Sequence, residues 1–195
     1  MNTTQNYELY IIFRPDTEAE YADKKINEFL TQVKADKIEI ARQGVSRMAY
    51  PINKQWNGQY YLVTFDLELE NAKLINPNTY RFNKDDFVMR QLITNKTDFL
   101  KQKAKESLNQ APETVHHREF NKGKITNKKC ISSYLGLREI DYKDADFLDQ
   151  FTSPYAKIFV RTRTGSKAKY QRKVSQAIKR ARHMALMPFT SRWVD

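Results

Sequence analysis

Between Gln150 and Val194 the chain carries eleven basic side chains and no acidic one. Each Lys or Arg in such a stretch can displace a condensed counterion from a phosphate, so the chemistry on offer is polyanion binding. From about Lys167 to Leu186 the pattern is helical. Tyr170, Val174, Ala177, Ile178, Ala181 and Ala185 form one stripe; Lys169, Arg172, Lys173, Lys179, Arg180 and His183 form another. A helix with one apolar and one basic face docks on protein with the first and on phosphate with the second. The apolar stripe holds small residues and lacks bulky aromatics, which suits close packing on another helix better than a membrane surface.

Other chemistries find no residues to carry them. There is no phosphate-binding glycine loop, no metal-ligand cluster and no Cys/His pair with plausible geometry, so no catalytic residue, metal or cofactor is expected. Cys130 is the single cysteine, which excludes an intramolecular disulfide and a multi-cysteine zinc site. His116-His117 lacks companions that would make it a metal site. No apolar run is long enough for a transmembrane helix. Tyr7 to Phe13 lacks a basic front and a cleavage site, and the acids Glu8, Asp16, Glu18 and Glu20 argue against a transit peptide. A soluble protein of a reducing compartment, with no membrane partner, is expected.

The 195 residues hold 34 Lys+Arg against 23 Asp+Glu, a net charge of +11. That charge is uneven: residues 1–96 are neutral overall, residues 97–129 carry +4 and residues 130–195 carry +7. Two modules with different partners are expected, 1–96 and 130–195, joined by a linker at 97–129. In the first, Tyr7–Arg14 reads as a strand, and Asp16 or Thr17 as the cap of a helix to about Ala35. Lys37–Tyr50 reads as a strand bulged at Gly44, Asn57-Gly58 as a hairpin turn and Gln59–Leu67 as the next strand. Asn71–Phe82 is helix-like, shortened or broken by Pro77, and Phe87–Thr94 closes the set. The order β-α-β-β-α-β is the ferredoxin-like arrangement. The linker is expected to be flexible apart from a short helix over Phe99–Leu108 stopped by Pro112; as a coil it spans roughly 30 Å. The second module is expected to be small, basic and all-α. Its first helix is capped by Asp141 and ends at Ser153-Pro154; Lys157–Arg163 reads as extended, and Thr164-Gly165-Ser166 as a turn. The fold class is therefore α+β.

The ferredoxin-like fold puts both helices on one sheet face. Tyr10, Ile12, Tyr60 and Leu62 then form an apolar patch on the other, the mark of an interaction site. Single-stranded RNA stacked on the aromatics is one candidate occupant. The spacing around Gly58 does not follow the RRM signature, and a neutral module suits RNA poorly, so a protein element is favoured.

Val45-Ser46-Arg47-Met48-Ala49-Tyr50-Pro51-Ile52, with Gly58-Gln59-Tyr60-Tyr61, Tyr80-Arg81-Phe82-Asn83 and Val88-Met89-Arg90, resembles bacterial small-subunit ribosomal protein six over about residues 5–95. Ser46, where a second Arg is usual, and Asn76-Pro77 depart from that family. Asp141-Tyr142-Lys143-Asp144, Lys157-Ile158, Thr164-Gly165 and the run Ala168 to Phe189 resemble small-subunit ribosomal protein eighteen over about residues 130–190. Departures there are Ala156, where Gly is usual, and Val160 and Thr162. Some members of that family bind zinc through several cysteines; Cys130 stands alone here, with Ser133 where a second would fall.

The resemblance implies a fused pair, natural or engineered, of two proteins that are normally separate chains. It implies a structural constituent of the small ribosomal subunit, in the cytoplasm or an organelle. Its implied partners are the central domain of small-subunit rRNA at the platform and neighbouring ribosomal proteins. The two modules are expected to dock within one chain, Tyr10, Ile12, Tyr60 and Leu62 meeting Val174, Ala177, Ile178 and Ala181. Arg161, Arg163, Arg172, Arg180 and Arg182 are expected to fork onto phosphates or stack on bases, and Lys157, Lys167, Lys169, Lys173 and Lys179 to act as point charges. Thr164 and His183 belong to the same surface, Gly165 would admit close backbone approach, and Tyr170 would stack or pack. The alternatives are a regulator of its own messenger RNA and a free RRM-like RNA-binding protein.

Overall fold

A strand that alternates large apolar side chains on both faces belongs inside a sheet, and the first strand does. The computed structural model describes residues 4–96 and 140–190. The linker, with the expected helix at Phe99–Leu108, Pro112, His116 and His117, lies outside them, as does Cys130 of the second module. The chain divides into two units.

The first unit runs β1 (Thr4–Phe13), α1 (Ala19–Val33), β2 (Asp36–Ile52), β3 (Gln55–Glu68), a 3-10 turn (Asn71–Leu74), α2 (Ile75–Phe82) and β4 (Val88–Asn95). Its strands form one antiparallel sheet in the order β2-β3-β1-β4. This is the expected ferredoxin-like fold. Leu9, Ile11, Phe13, Val63, Phe65 and Leu67 bury their side chains against Ala22, Ile26, Phe29, Leu30 and Val33 of α1. Each large side chain so buried stabilises the unit by about 1.5–3 kcal/mol.

Several boundaries differ from expectation, each for a local reason. Neither Asp16 nor Thr17 caps α1. Thr17 N–H donates to Arg14 O at 3.1 Å, so Pro15 and Asp16 are taken up in a turn and the helix begins after Glu18. Of the two outcomes expected at Pro77, α2 is shortened rather than broken: Asn71–Leu74 form the 3-10 turn, and Pro77 is the third residue of the helix, where an amide proton has no intrahelical acceptor. The hairpin turn is not Asn57-Gly58 but Asn53-Lys54, both left-handed at φ 50° and 64°, between the paired Ile52 and Gln55. Gly58 instead sits inside β3, where a Cβ would stand 2.5 Å from Ile12 Cγ2. The expected bulge at Gly44 is present: the β2–β3 register shifts between Arg42 and Gly44, with Gly44 at φ 80°.

On the sheet face opposite the helices, Tyr10 pairs with Leu62 and Ile12 with Tyr60. Tyr10, Ile12 and Tyr60 are buried, at 3%, 0% and 2% exposure, and Leu62 is half-buried. Tyr10 donates its hydroxyl to Gln43 Oε1 at 2.7 Å, and its ring centre lies 5.6 Å from that of Tyr60. Burial, with a smaller contribution from Tyr50, pushes the Tyr60 phenol up to about 12. The folded chain therefore keeps a proton that the unfolded chain releases near pH 10. Stability from this group is complete below pH 10 and falls as pH rises toward 12, by roughly 2 kcal/mol. Urea unfolding at pH 9.5 and 11.5 will show this loss in the native chain and a smaller one in Tyr60→Phe.

The second unit contains α3 (Ala145–Asp149), α4 (Arg161–Thr164) and α5 (Ala168–His183). Asp144 caps α3, accepting Phe147 N–H at 3.1 Å. Asp141, the expected cap, accepts Lys143 N–H in the preceding turn. The helix also ends at Asp149, ahead of Ser153-Pro154. Lys157–Arg163 is not extended throughout: Arg161–Thr164 forms one helical turn after extended Val160, stopped by left-handed Gly165 at φ 65°. The helix α5 stops before Leu186 because Ala185 is left-handed at φ 53° and Leu186 N–H returns to Ala181 O at 2.9 Å. The helix α3 packs against α5, with Leu148 and Phe151 fully buried.

Candidate nucleic-acid interface

The apolar stripe of α5 is spent on the interior. Val174, Ala177, Ile178 and Ala181 are at most 3% exposed. The 3.6-residue period then sends Lys169, Arg172 and Lys179 outward, and all three are exposed. Among the described residues after Asp149 no carboxylate side chain balances them. Basic Arg180, Arg182 and His183 occupy the last turn, where the helix dipole favours cations.

An open groove on this face is lined by Arg161, Gln171, Arg172 and Lys179, together with Ala168, Ser175 and Gln176. It brings Arg161 of the short α4 beside two cations of α5. Gln171 explains how. Its side-chain N–H donates to Phe159 O at 2.8 Å, and its Oε1 accepts the Thr164 hydroxyl at 3.2 Å. Ser166 N–H in turn donates to Thr164 Oγ1 at 3.3 Å. One carboxamide thus ties both ends of the α4 turn to α5 and fixes the direction of its arginines.

The remaining expected residues divide between surface and scaffold. Lys157, Arg163 and Lys167 are exposed; Gly165, Tyr170, Lys173, Arg180 and His183 are half-buried. The Arg163 guanidinium lies over the Phe159 ring at 3.8 Å from its centre, which backs the cation with an aromatic face while the residue stays exposed. Thr164 is fully buried, so its hydroxyl serves the loop. Arg182 is turned inward: it donates to Ala156 O, lies 5.9 Å from the Phe189 ring centre, and burial lowers its pKa. It anchors the turn that displays Lys157. That turn contains Ala156 at φ 57°, a conformation that favours glycine. Spacing gave no sign of the roles of Phe159 and Gln171, because their partners lie twelve residues apart in the chain. Tyr155 at 72% and Phe189 at 57% exposure add aromatic surface to this unit.

Replacing Gln171 with leucine will remove the side-chain donor to Phe159 O and leave the Thr164 hydroxyl only Arg161 O, at 3.4 Å, as acceptor, at a cost of roughly 1–3 kcal/mol. Amide exchange at residues 160–166 will accelerate in the variant, while α5 stays protected.

Among the described residues no group of three or more His, Cys, Asp or Glu is placed to hold a metal ion. No described helix is long and apolar enough to cross a membrane.

Two family models match the chain. Ribosomal protein S6 matches residues 6–95, and ribosomal protein S18 matches residues 136–187. The small ribosomal subunit protein bS18 of Flavobacterium johnsoniae is 54% identical over 66 residues, 34% of this chain and 67% of the relative. The bS18 of Porphyromonas gingivalis is 48% identical over 64 residues, 33% of this chain and 71% of the relative. The crystal structure of ribosomal protein S6 from Thermotoga maritima is 24% identical, with a TM-score of 0.45, covering 54% of this chain and 99% of that one.

Proposed function

Because the chain belongs to the ribosomal protein S18 family through its second unit and carries a ribosomal protein S6 sequence ahead of it, we propose that it is a structural component of the small ribosomal subunit that supplies both parts from one polypeptide. The occurrence of both family sequences in one chain is the observation that carries this reading. The role is binding, not catalysis, and its site is the cytoplasmic ribosome.

The cationic groove meets small-subunit rRNA, in the central domain at the platform. Arg161, Arg172 and Lys179 contact phosphates there, and Arg163 presents a flat cation suited to stacking or to a bidentate phosphate contact. Arg182 and Thr164 act as positioning residues. The Tyr10–Ile12–Tyr60–Leu62 face receives a protein element, for which the second unit is the tethered candidate. A tether makes such docking intramolecular, at an effective concentration reaching the millimolar range.

Sedimentation of a native-source lysate through a sucrose gradient, with a high-salt wash, tests the main reading. Co-migration with the small subunit at one copy, surviving the wash, is the expected result. A chain left at the top of the gradient would overturn it. For the docking, cleavage at a protease site placed within residues 97–129 should leave the two pieces associated at micromolar concentration; separation would refute it.

A further inference from the structure

The β2–β3 hairpin provides a second surface. β1 ends at Phe13 opposite Gln59; beyond it β2 and β3 continue as a two-stranded arm, with Ser46 opposite Gly58, Arg47 opposite Asn57 and Ile52 opposite Gln55, and a register shift between Arg47 and Ile52. No acidic residue lies between Glu39 and Asp66, while Arg42, Arg47 and Lys54 do. Asp23 takes Arg42. Arg47 and Lys54 are exposed, and neither has a carboxylate partner among the described residues. The Arg47 guanidinium lies over the Trp56 ring at 5.4 Å from its centre, and Trp56 is 50% exposed. Lys54, left-handed in the turn, marks the tip.

We propose that the Arg47–Trp56 pair is a stacking platform for an unpaired RNA base, with Lys54 holding a neighbouring phosphate. The chemistry favours RNA over an apolar protein segment. An indole carrying a guanidinium on one side is a flat, cation-backed surface, and every base has a face that stacks on it. Val45, at 56% exposure, and Pro51 are the only exposed aliphatic side chains in residues 43–57, too little for an apolar interface core. A second exposed pair, Lys84 over Tyr80 at 4.7 Å, lies in sequence beside Asp85 and Asp86, whose charges oppose a phosphate. It serves as an internal control. The proposal rests on the rRNA-binding reading above, and its test separates the two.

Trp193→Phe leaves Trp56 as the single indole of the chain, which holds two tryptophans. The full chain with that change is titrated with purified small-subunit rRNA while indole emission and affinity are followed across a salt series. Emission should be quenched on binding. Trp56→Leu should weaken binding about tenfold with the salt slope unchanged. Lys54→Gln should lower the slope by roughly 0.7–0.9, and Tyr80→Ala should change neither quantity. Thermal melting of each variant checks that the fold is retained. Unquenched emission with undiminished affinity in Trp56→Leu would overturn the platform and leave the ribosomal reading standing. Equal RNA affinity with loss of co-sedimentation would assign the arm to a protein and also overturn it. No RNA binding by any form, Tyr80→Ala included, would overturn both readings.

Discussion

Neutralising Arg161, Arg172 and Lys179 together, each to glutamine, will weaken binding of the chain to small-subunit rRNA by roughly two orders of magnitude near physiological salt. The three side chains line one groove and are exposed. Their loss removes phosphate contacts while costing the fold little, since exposed substitutions usually fall within about 0.5 kcal/mol. The slope of log affinity against log salt should fall by roughly two to three, one increment of about 0.7–0.9 for each cation removed. Filter binding across a salt series reads both quantities, and an unchanged melting temperature isolates the effect to the interface. A variant that keeps the native slope would place the phosphate contacts elsewhere. The single change Arg182→Gln should behave differently. That guanidinium is held by Ala156 O beside the Phe189 ring, so the variant should lose stability as well as affinity.

Gly58→Val will destabilise the first unit by roughly 3 kcal/mol or more. The argument is steric: even a Cβ at this position would lie 2.5 Å from Ile12 Cγ2 and 3.4 Å from Phe13 O, and Ile12 is fully buried. Overpacking of this kind costs about 1–3 kcal/mol even when a small group is added. Gly44→Ala provides the contrast. A Cβ at Gly44 meets nothing within 4 Å, but its φ of 80° is unfavourable for any L side chain. The expected cost is smaller, about 1–2 kcal/mol. Denaturant unfolding of both variants distinguishes clash from backbone strain. Equal midpoints for Gly58→Val and the native chain would contradict the packing described for Ile12.

The β-α-β-β-α-β order and the two stripes of α5 were legible because periodicity is a local property. Apolar side chains repeating every second residue, or every third and fourth, announce their element whatever surrounds it. What escaped depends on neighbours distant in sequence. Asn57-Gly58 satisfies the chemistry of a hairpin turn, but so does the left-handed Asn53, and contact with Ile12 decides between them. Pro77 predicts a helix that is broken or shortened, and only the 3-10 turn ahead of it decides for shortening, by making it a first-turn residue. The single turn of α4 exists between an extended valine and a left-handed glycine, too short to show any period. The groove was legible as a set of cations but not as a geometry. Nothing in the sequence ties Gln171 to Phe159 and Thr164, and without that tie Arg161 has no fixed place beside Arg172. The departure at Ala156, where the resemblance has a glycine, falls in a left-handed turn, which this chain forms with alanine.

The placement of Asn57 and Gly58 inside a paired strand also bears on how the protein ages. In a mobile Asn-Gly sequence the glycine amide attacks the asparagine side chain, closes a succinimide and expels ammonia. Here Asn57 pairs with Arg47 and Gly58 with Ser46, and Gly58 is pressed against Ile12. The backbone cannot fold into the ring while the arm is intact. Deamidation at Asn57 therefore becomes a clock that runs only in chains whose hairpin has opened, and isoaspartate at that position would record past unfolding in an otherwise native population.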